Sequence, residues 1–216
     1  MSRRPQTLAA PRLSLPALAP FEGRLEDEGD YEALAFDGLD LTGQDLRHAR
    51  FMDCAWTGCR LDGANLGHGQ VAESTLTDVH AGSLDAATSI WRDVELRDCR
   101  LGAVTAYAST FTRVLVRGGK IDYVNLRDAA LTDVRFDGCV IGELDLGGAK
   151  VTRMAFDSCR VGRIDLTRST LSSVDLRGAD LSGLHGIEGL AGATISEEQL
   201  VDLAPAMAAH LRIVVA

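Results

Sequence analysis

The sequence predicts an all-β solenoid with a helical cap at its C-terminal end, and three observations carry that prediction. Stepping by five from Phe36 to Leu181 lands on an apolar residue at each of thirty positions. The column two residues earlier, from Leu34 to Ala179, holds only Ala, Cys, Ser, Val, Leu, Gly, Met, Ile and one Gln44. A chain that is 25% charged would place about fifteen charges among those sixty positions by chance, and there are none. Both columns must therefore face inward. Third, a period of five fits neither a helix face, which recurs about every 3.6 residues, nor a strand face, which recurs every two. It fits a five-residue edge that turns a corner at each repeat. Gly, Asp, Ser and Thr are frequent just after each centre, where successive tight turns require them.

The words Ala64-Asn65-Leu66 and Ala179-Asp180-Leu181 resemble the A-(D/N)-L-x-x word of the pentapeptide-repeat family. The resemblance covers residues 34 to 183 without a break in register. It implies a right-handed quadrilateral β-helix with four pentapeptides per coil. Thirty repeats then make about 7.5 coils and, at about 4.8 Å per coil, a rod about 36 Å long. A twenty-residue coil also balances side-chain volume, because Ala81 and Ala86 share a layer with Trp91, and Ala106 shares one with Phe111. The same wrapping stacks Phe36 on Trp56, Trp91 on Phe111 and Phe136 on Phe156. A rod filled in this way leaves no cavity for a substrate.

Three segments follow in chain order. Residues 1–33 are a Pro-rich arm, flexible or extended, and an acidic lead-in, LEDEGDYEAL. Residues 34–186 are the repeats. Residues 187–216 form a helix and a short apolar tail, since a solenoid needs its ends capped. Ser196 is the expected N-cap, with Gln199 three residues on and Ile195 facing Leu200 as a staple, and Pro205 is expected to kink or divide the helix. Leu200, Leu203, Met207 and Leu211 give it one apolar stripe. That stripe and the tail LRIVVA either cap the last coil or pair with a second copy. Quinolone-resistance members of the family dimerise through C-terminal helices, so the resemblance favours a homodimer.

Composition limits the function. With 31 acidic and 22 basic side chains the net charge is −9, which argues against direct nucleic acid binding over the whole surface. Five cysteines with no C-x-x-C pair make neither a disulfide framework nor a zinc site and suit a reducing cytoplasm. No apolar run of signal-peptide or membrane-spanning length occurs; Arg3-Arg4 raises twin-arginine export, but no apolar region follows it. The expectation is a cytoplasmic protein without cofactor or metal. Cys59, Cys99, Cys139 and Cys159 fall in one inward column and are expected to remain buried thiols. His48 and His68 stack on an outer face near Asp45 but fall short of a zinc ligand set.

Asp precedes the centre at Asp40, Asp45, Asp85, Asp145, Asp165, Asp175 and Asp180, with Asn65 and Asn125 as variants. Seven equivalent acids on a convex rod do not make a paired acid/base site, and their role is expected to be architectural. No nucleotide-binding, metalloprotease or nucleophile-elbow motif is present, so catalysis is not expected.

The best-known family members bind type II topoisomerases and imitate duplex DNA. The resemblance therefore suggests DNA gyrase or topoisomerase IV as a partner, in drug or toxin resistance, although the inserted loops of some members are missing. A DNA mimic about 36 Å long needs about twenty uncompensated negative charges, whereas residues 31–185 carry 22 acids and 17 bases. The most acidic single face displays Asp37, Asp78, Glu95, Asp98, Asp137, Asp157 and Asp175 against Arg97, Arg117, Arg135 and Arg177. The other reading is a general protein-interaction scaffold with a different cytosolic partner.

Overall fold

The computed structural model describes residues 7–214; the Arg3-Arg4 pair and the end of the apolar tail lie outside the described residues. Parallel pairing at a step of twenty residues organises the chain. Phe111 lies between Trp91 and Leu131, and Val124 between Val104 and Leu144. The long strands Gln70–Thr77, Ile90–Arg97, Thr110–Arg117, Ala130–Asp137 and Lys150–Asp157 each bend round one corner and supply two adjacent sides of a coil. His80–Asp85, Arg100–Thr105, Lys120–Asn125, Val140–Asp145 and Arg160–Asp165 supply the next side. Tight turns close the fourth. The result is a quadrilateral β-helix of about eight turns with a single C-terminal helix.

The five-residue side has a local cause. Three of the four corners hold a residue at positive φ along the rod, as at His48, His68 and Thr88, at Asp53, Glu73, Asp93, Arg113 and Asp133, and at Asp78 and Asp98, and the fourth does so in the early coils at Gly43 and Gly63. One left-handed residue per corner turns an extended chain without breaking its pairing to the coils above and below. The residue before each turn and its neighbour two earlier then point inward, which is the origin of the two uncharged columns.

The inward centres are buried, with two exceptions, Leu96 and Phe111. Both line an internal void of about 80 Å³, walled by apolar side chains that include Ala86, Trp91, Ala106 and Val116. The rod is therefore not filled throughout, contrary to the expectation from layer volumes. The Trp91 indole donates from Nε1 to Ser89 Oγ at 2.8 Å, which pins the ring to its own side. It lies over Phe111 at 6.1 Å and 14°. Two flat rings held in line fill a slab and leave the space over Ala86 and Ala106 open. Phe136 and Phe156 stack more closely, at 5.1 Å and 5°, and Phe36 meets Trp56 at 4.3 Å.

Both ends are plugged. Phe21 packs on Phe36 at 5.0 Å and Tyr31 stacks on Phe51 at 5.0 Å, so aromatic rings from the lead-in close the first coil, with Leu25 buried beside them. At the other end the ladder slips by one residue, pairing Val174 with Ala193, and the helix Glu197–His210 follows. Ser196 and Gln199 form a reciprocal capping box. The helix runs undivided through Pro205, so of the two expected effects of the proline, division does not occur. The carbonyl that Pro205 leaves without an N–H donor belongs to Val201, which is 72% exposed, so water can serve it.

Two stability measurements test this core. Ala106→Val should fill part of the void and raise the urea midpoint, the gain being bounded near about 2 kcal/mol at about 24 cal/mol per Å³ of cavity. Leu126→Asp should prevent folding or cost several kcal/mol by burying an unpaired charge, while Arg100→Asp on the exposed side should leave the midpoint unchanged.

Candidate interaction surfaces

The repeated Asp and Asn that precede the centres have one local job. Asp40, Asp45, Asp85, Asp145, Asp165, Asp175 and Asp180 each accept the backbone N–H two residues ahead, at 2.8–3.2 Å. Asn65 and Asn125 do the same for Gly67 and Arg127. These are Asx turns, in which a short acceptor side chain mimics a backbone turn. The Arg177 guanidinium and the Arg177 amide hold Asp175 below the usual carboxylate range despite partial burial.

The acidic face is largely neutralised by its own neighbours. Glu95 pairs with Arg97 at 2.7 Å and lies 3.8 Å from Arg117, and Asp137 lies 3.5 Å from Arg117. Asp157 pairs with Arg135 at 2.8 Å, Asp175 with Arg177 at 2.6 Å, and Asp78 with His80 at 3.1 Å. Asp37 and Asp98 take part in none of these pairs. The face is a ladder of alternating charge, much of it running from one coil to the next.

The thiols are structural hydrogen-bond donors. Cys54, Cys59, Cys99 and Cys139 donate to the carbonyls of Tyr31, Phe36, Leu76 and Val116, each 23 residues earlier, at 3.3–3.5 Å. Ser109 does the same for Ala86 at 2.8 Å, and in the cap Gln199 does so for Leu176 at 2.8 Å. Burial pushes the Cys54 and Cys99 thiols up to about 11, and all five thiols are free and buried. His48 and His68 stack at 5.0 Å, and Thr88 Oγ1 lies 2.7 Å from His68 Nδ1. No group of three metal-ligating side chains occurs among the described residues.

The N-terminal arm is extended and docked along the rod. Its Arg12 amide donates to Asp93 Oδ1 at 2.8 Å, and its Ala9 amide donates to Asp133 Oδ1 at 3.1 Å. The same carboxylates are gripped from the next coil. Arg113 reaches Asp93 through Nε and Nη2, both at 2.6 Å, and Arg153 reaches Asp133 at 2.6 and 2.7 Å. Sequence reasoning passed over these four residues. Their spacing of twenty and their alternating sign were the available signal. Burial pushes Asp93 up, but the Arg113 guanidinium and the Arg12 amide outweigh it, so its net shift is downward. The Arg153 guanidinium holds Asp133 low against its own burial, helped by the Ala9 amide.

A parallel β-helical rod of five-residue sides, with Asx turns at its corners, defines a class of repeat protein. The family model described as Pentapeptide repeats matches the chain in 8 copies, at residues 153–183. Comparison with curated proteins found no match. Among solved structures, QnrB1, a plasmid-mediated fluoroquinolone resistance protein, is similar in two trypsin-treated forms. One is 19% identical over 91% of this chain and 96% of that chain, with a TM-score of 0.39. The other is 15% identical over 87% and 100%, with a TM-score of 0.40. HetL, a pentapeptide repeat protein involved in heterocyst differentiation regulation from the cyanobacterium Nostoc, is 18% identical over 79% of this chain and 91% of that chain, with a TM-score of 0.32.

The depressed carboxylates set a pH window for the arm. Their folded-state values lie below the ordinary 3.8, so their contribution is complete above that pH and is lost as pH falls through the lower folded value. Trypsin cleavage after Arg12 in folded protein first exposed to pH 7 and pH 5 should be equally slow, and hydrogen exchange at the Ala9 and Arg12 amides should accelerate only below about pH 4. Ellman's reagent should find no reactive thiol in the native protein and all five after denaturation.

Proposed function

We propose that the protein works without chemistry of its own, as a rod that binds a partner protein on its outer faces and a second copy at its C-terminal end. The observation that carries the reading is the use made of the outward side chains. The acids ahead of the centres close turns and those on the most acidic face are mostly paired with arginines, which leaves walls of mixed, largely paired charge. Such walls suit docking by shape and hydrogen bonds. Among the described residues no helix is long and apolar enough to cross a membrane.

Gyrase or topoisomerase IV is the partner that the family resemblance names, and the description of QnrB1 as a fluoroquinolone resistance protein supports considering it. Imitation of DNA by charge asks for uncompensated acids, and most of those on the acidic face have arginine neighbours. Purified protein in stoichiometric excess is therefore expected to leave gyrase supercoiling unchanged at low and moderate salt. Inhibition that weakens with salt and disappears in an Asp37→Lys/Asp98→Lys variant would replace the scaffold reading with the DNA-mimic one.

The second copy is supported by the cap. Leu203 is buried against the last coil and Met207 packs beside it, whereas Leu200, Val201, Leu211, Ile213 and Val214 are exposed. One face of the helix caps its own rod and the other is left apolar. Light scattering on a sizing column should give twice the 23.1 kDa chain mass, and Leu211→Ser/Ile213→Ser should return it to the monomer mass with the melting temperature of the rod preserved.

A further inference from the structure

The arm is held by more than a tether requires. Its half-buried residues are Leu8, Pro11, Leu13, Leu15 and Leu18, of which Leu8 and Pro11 lie three apart. The two amides that bond to the rod, on Ala9 and Arg12, are also three apart. The carboxylates that receive them, Asp133 and Asp93, are two coils apart. Three residues of polyproline II rise about 9.3 Å and two parallel coils about 9.6 Å, so the two lattices run in step. Pro11 and Pro16, which have no N–H, fall between the positions of that register rather than on them.

The receiving side is built for the purpose. Asp93 and Asp133 stand on outward corners yet are only 3% and 6% exposed, and each is fixed by two bonds from an arginine of the next coil. Two residues beyond Asp93, Glu95 is 6% exposed; its Oε2 accepts from Arg97, and its buried Oε1 lies 3.8 Å from Arg117 Nη1 without a hydrogen bond. A buried acceptor of this kind is costly.

We infer that this edge of the rod is a recognition groove for an extended, proline-containing peptide, that residues 8–18 are its resident occupant in cis, and that a partner protein docks by replacing them with a segment of its own. The groove reads free backbone N–H groups at positions i and i+3, with an apolar residue before the first and proline before the second, as in Leu8-Ala9-Ala10-Pro11-Arg12. Main-chain reading gives affinity, and the proline lowers the ordering cost of the peptide. The inference rests on the binding-rod reading for the existence of a partner.

The test uses the full chain and a fluorescein-labelled synthetic peptide of residues 7–20 as probe. In wild type the resident arm competes, so anisotropy should show weak binding. Ala9→Pro/Arg12→Pro removes both arm donors and should tighten probe binding at least tenfold. Adding Asp93→Ala/Asp133→Ala should abolish that gain, and a probe carrying proline at both donor positions should fail to bind. Circular dichroism and melting establish that each variant is folded. The inference is overturned if the Ala9→Pro/Arg12→Pro chain binds the probe no more tightly than wild type, or if the proline-substituted probe binds equally well. It is also overturned if arm exchange between copies, seen as a mass doubling that survives Leu211→Ser/Ile213→Ser, accounts for the binding. Failure here leaves the gyrase measurement independent, because that assay does not use the arm.

Discussion

Everything in this rod depends on residue i lying against residue i+20 while the chain turns a corner every five residues. The parallel ladder serves the backbone along the sides, but at certain corners a carbonyl turns inward, away from the next coil. A buried carbonyl without a donor is costly. A small donor 23 residues later reaches such carbonyls: Cys54, Cys59, Cys99, Ser109 and Cys139 reach Tyr31, Phe36, Leu76, Ala86 and Val116, although Ser89 also donates to Ala86 and the Cys54 thiol lies nearer to the Met52 carbonyl. Gln199 continues the series from the helix, reaching Leu176 and also Ala179. The cap is thus bonded to the last coil as another coil would be.

The fold was legible because its period is enforced at every repeat: one charged residue in either inward column would be buried without a partner. The role of the cysteines was not legible, since Cys among Ala and Val reads as a small apolar residue until the direction of a carbonyl is known. The void near Ala106 was hidden for a similar reason. Volumes by layer balance on paper, but the bond from Trp91 to Ser89 decides where the indole sits. Capping was half legible. Ser196 and Gln199 announced the helix, whereas Phe21 and Tyr31 lie on the five-residue step before Phe36 but are separated by Glu26, which breaks the apolar column.

Charge on the rod has a vertical order that a sum along one face does not show. Summing acids and bases along one face treats each as free, yet Arg117 bridges towards Asp137 and Arg135 pairs with Asp157 in the next coil. Two side chains twenty residues apart sit about 4.8 Å apart in such a ladder, so charge on a solenoid must be paired across coils before it is summed. The same step applied to the corner column gives Asp93, Arg113, Asp133 and Arg153, two buried pairs one above the other. Their carboxylates are where the arm is fastened. The architecture and the attachment of the arm draw on one set of residues.

The two ends of the rod differ from its middle in a way that bears on growth. In the first strand, Ala19–Pro20, the amides of Ala19 and Phe21 donate to the first coil at Ala33 and Ala35. The nitrogen of residue 20 therefore faces the open edge, and as a proline it has no hydrogen to offer. At the far end the one-residue slip at Ala193 and the overlying helix remove the lattice on which a further coil would stack. A stack of identical parallel strands is otherwise a template for fibres. Blocked at both tips, this chain cannot add rods end to end through its sheets.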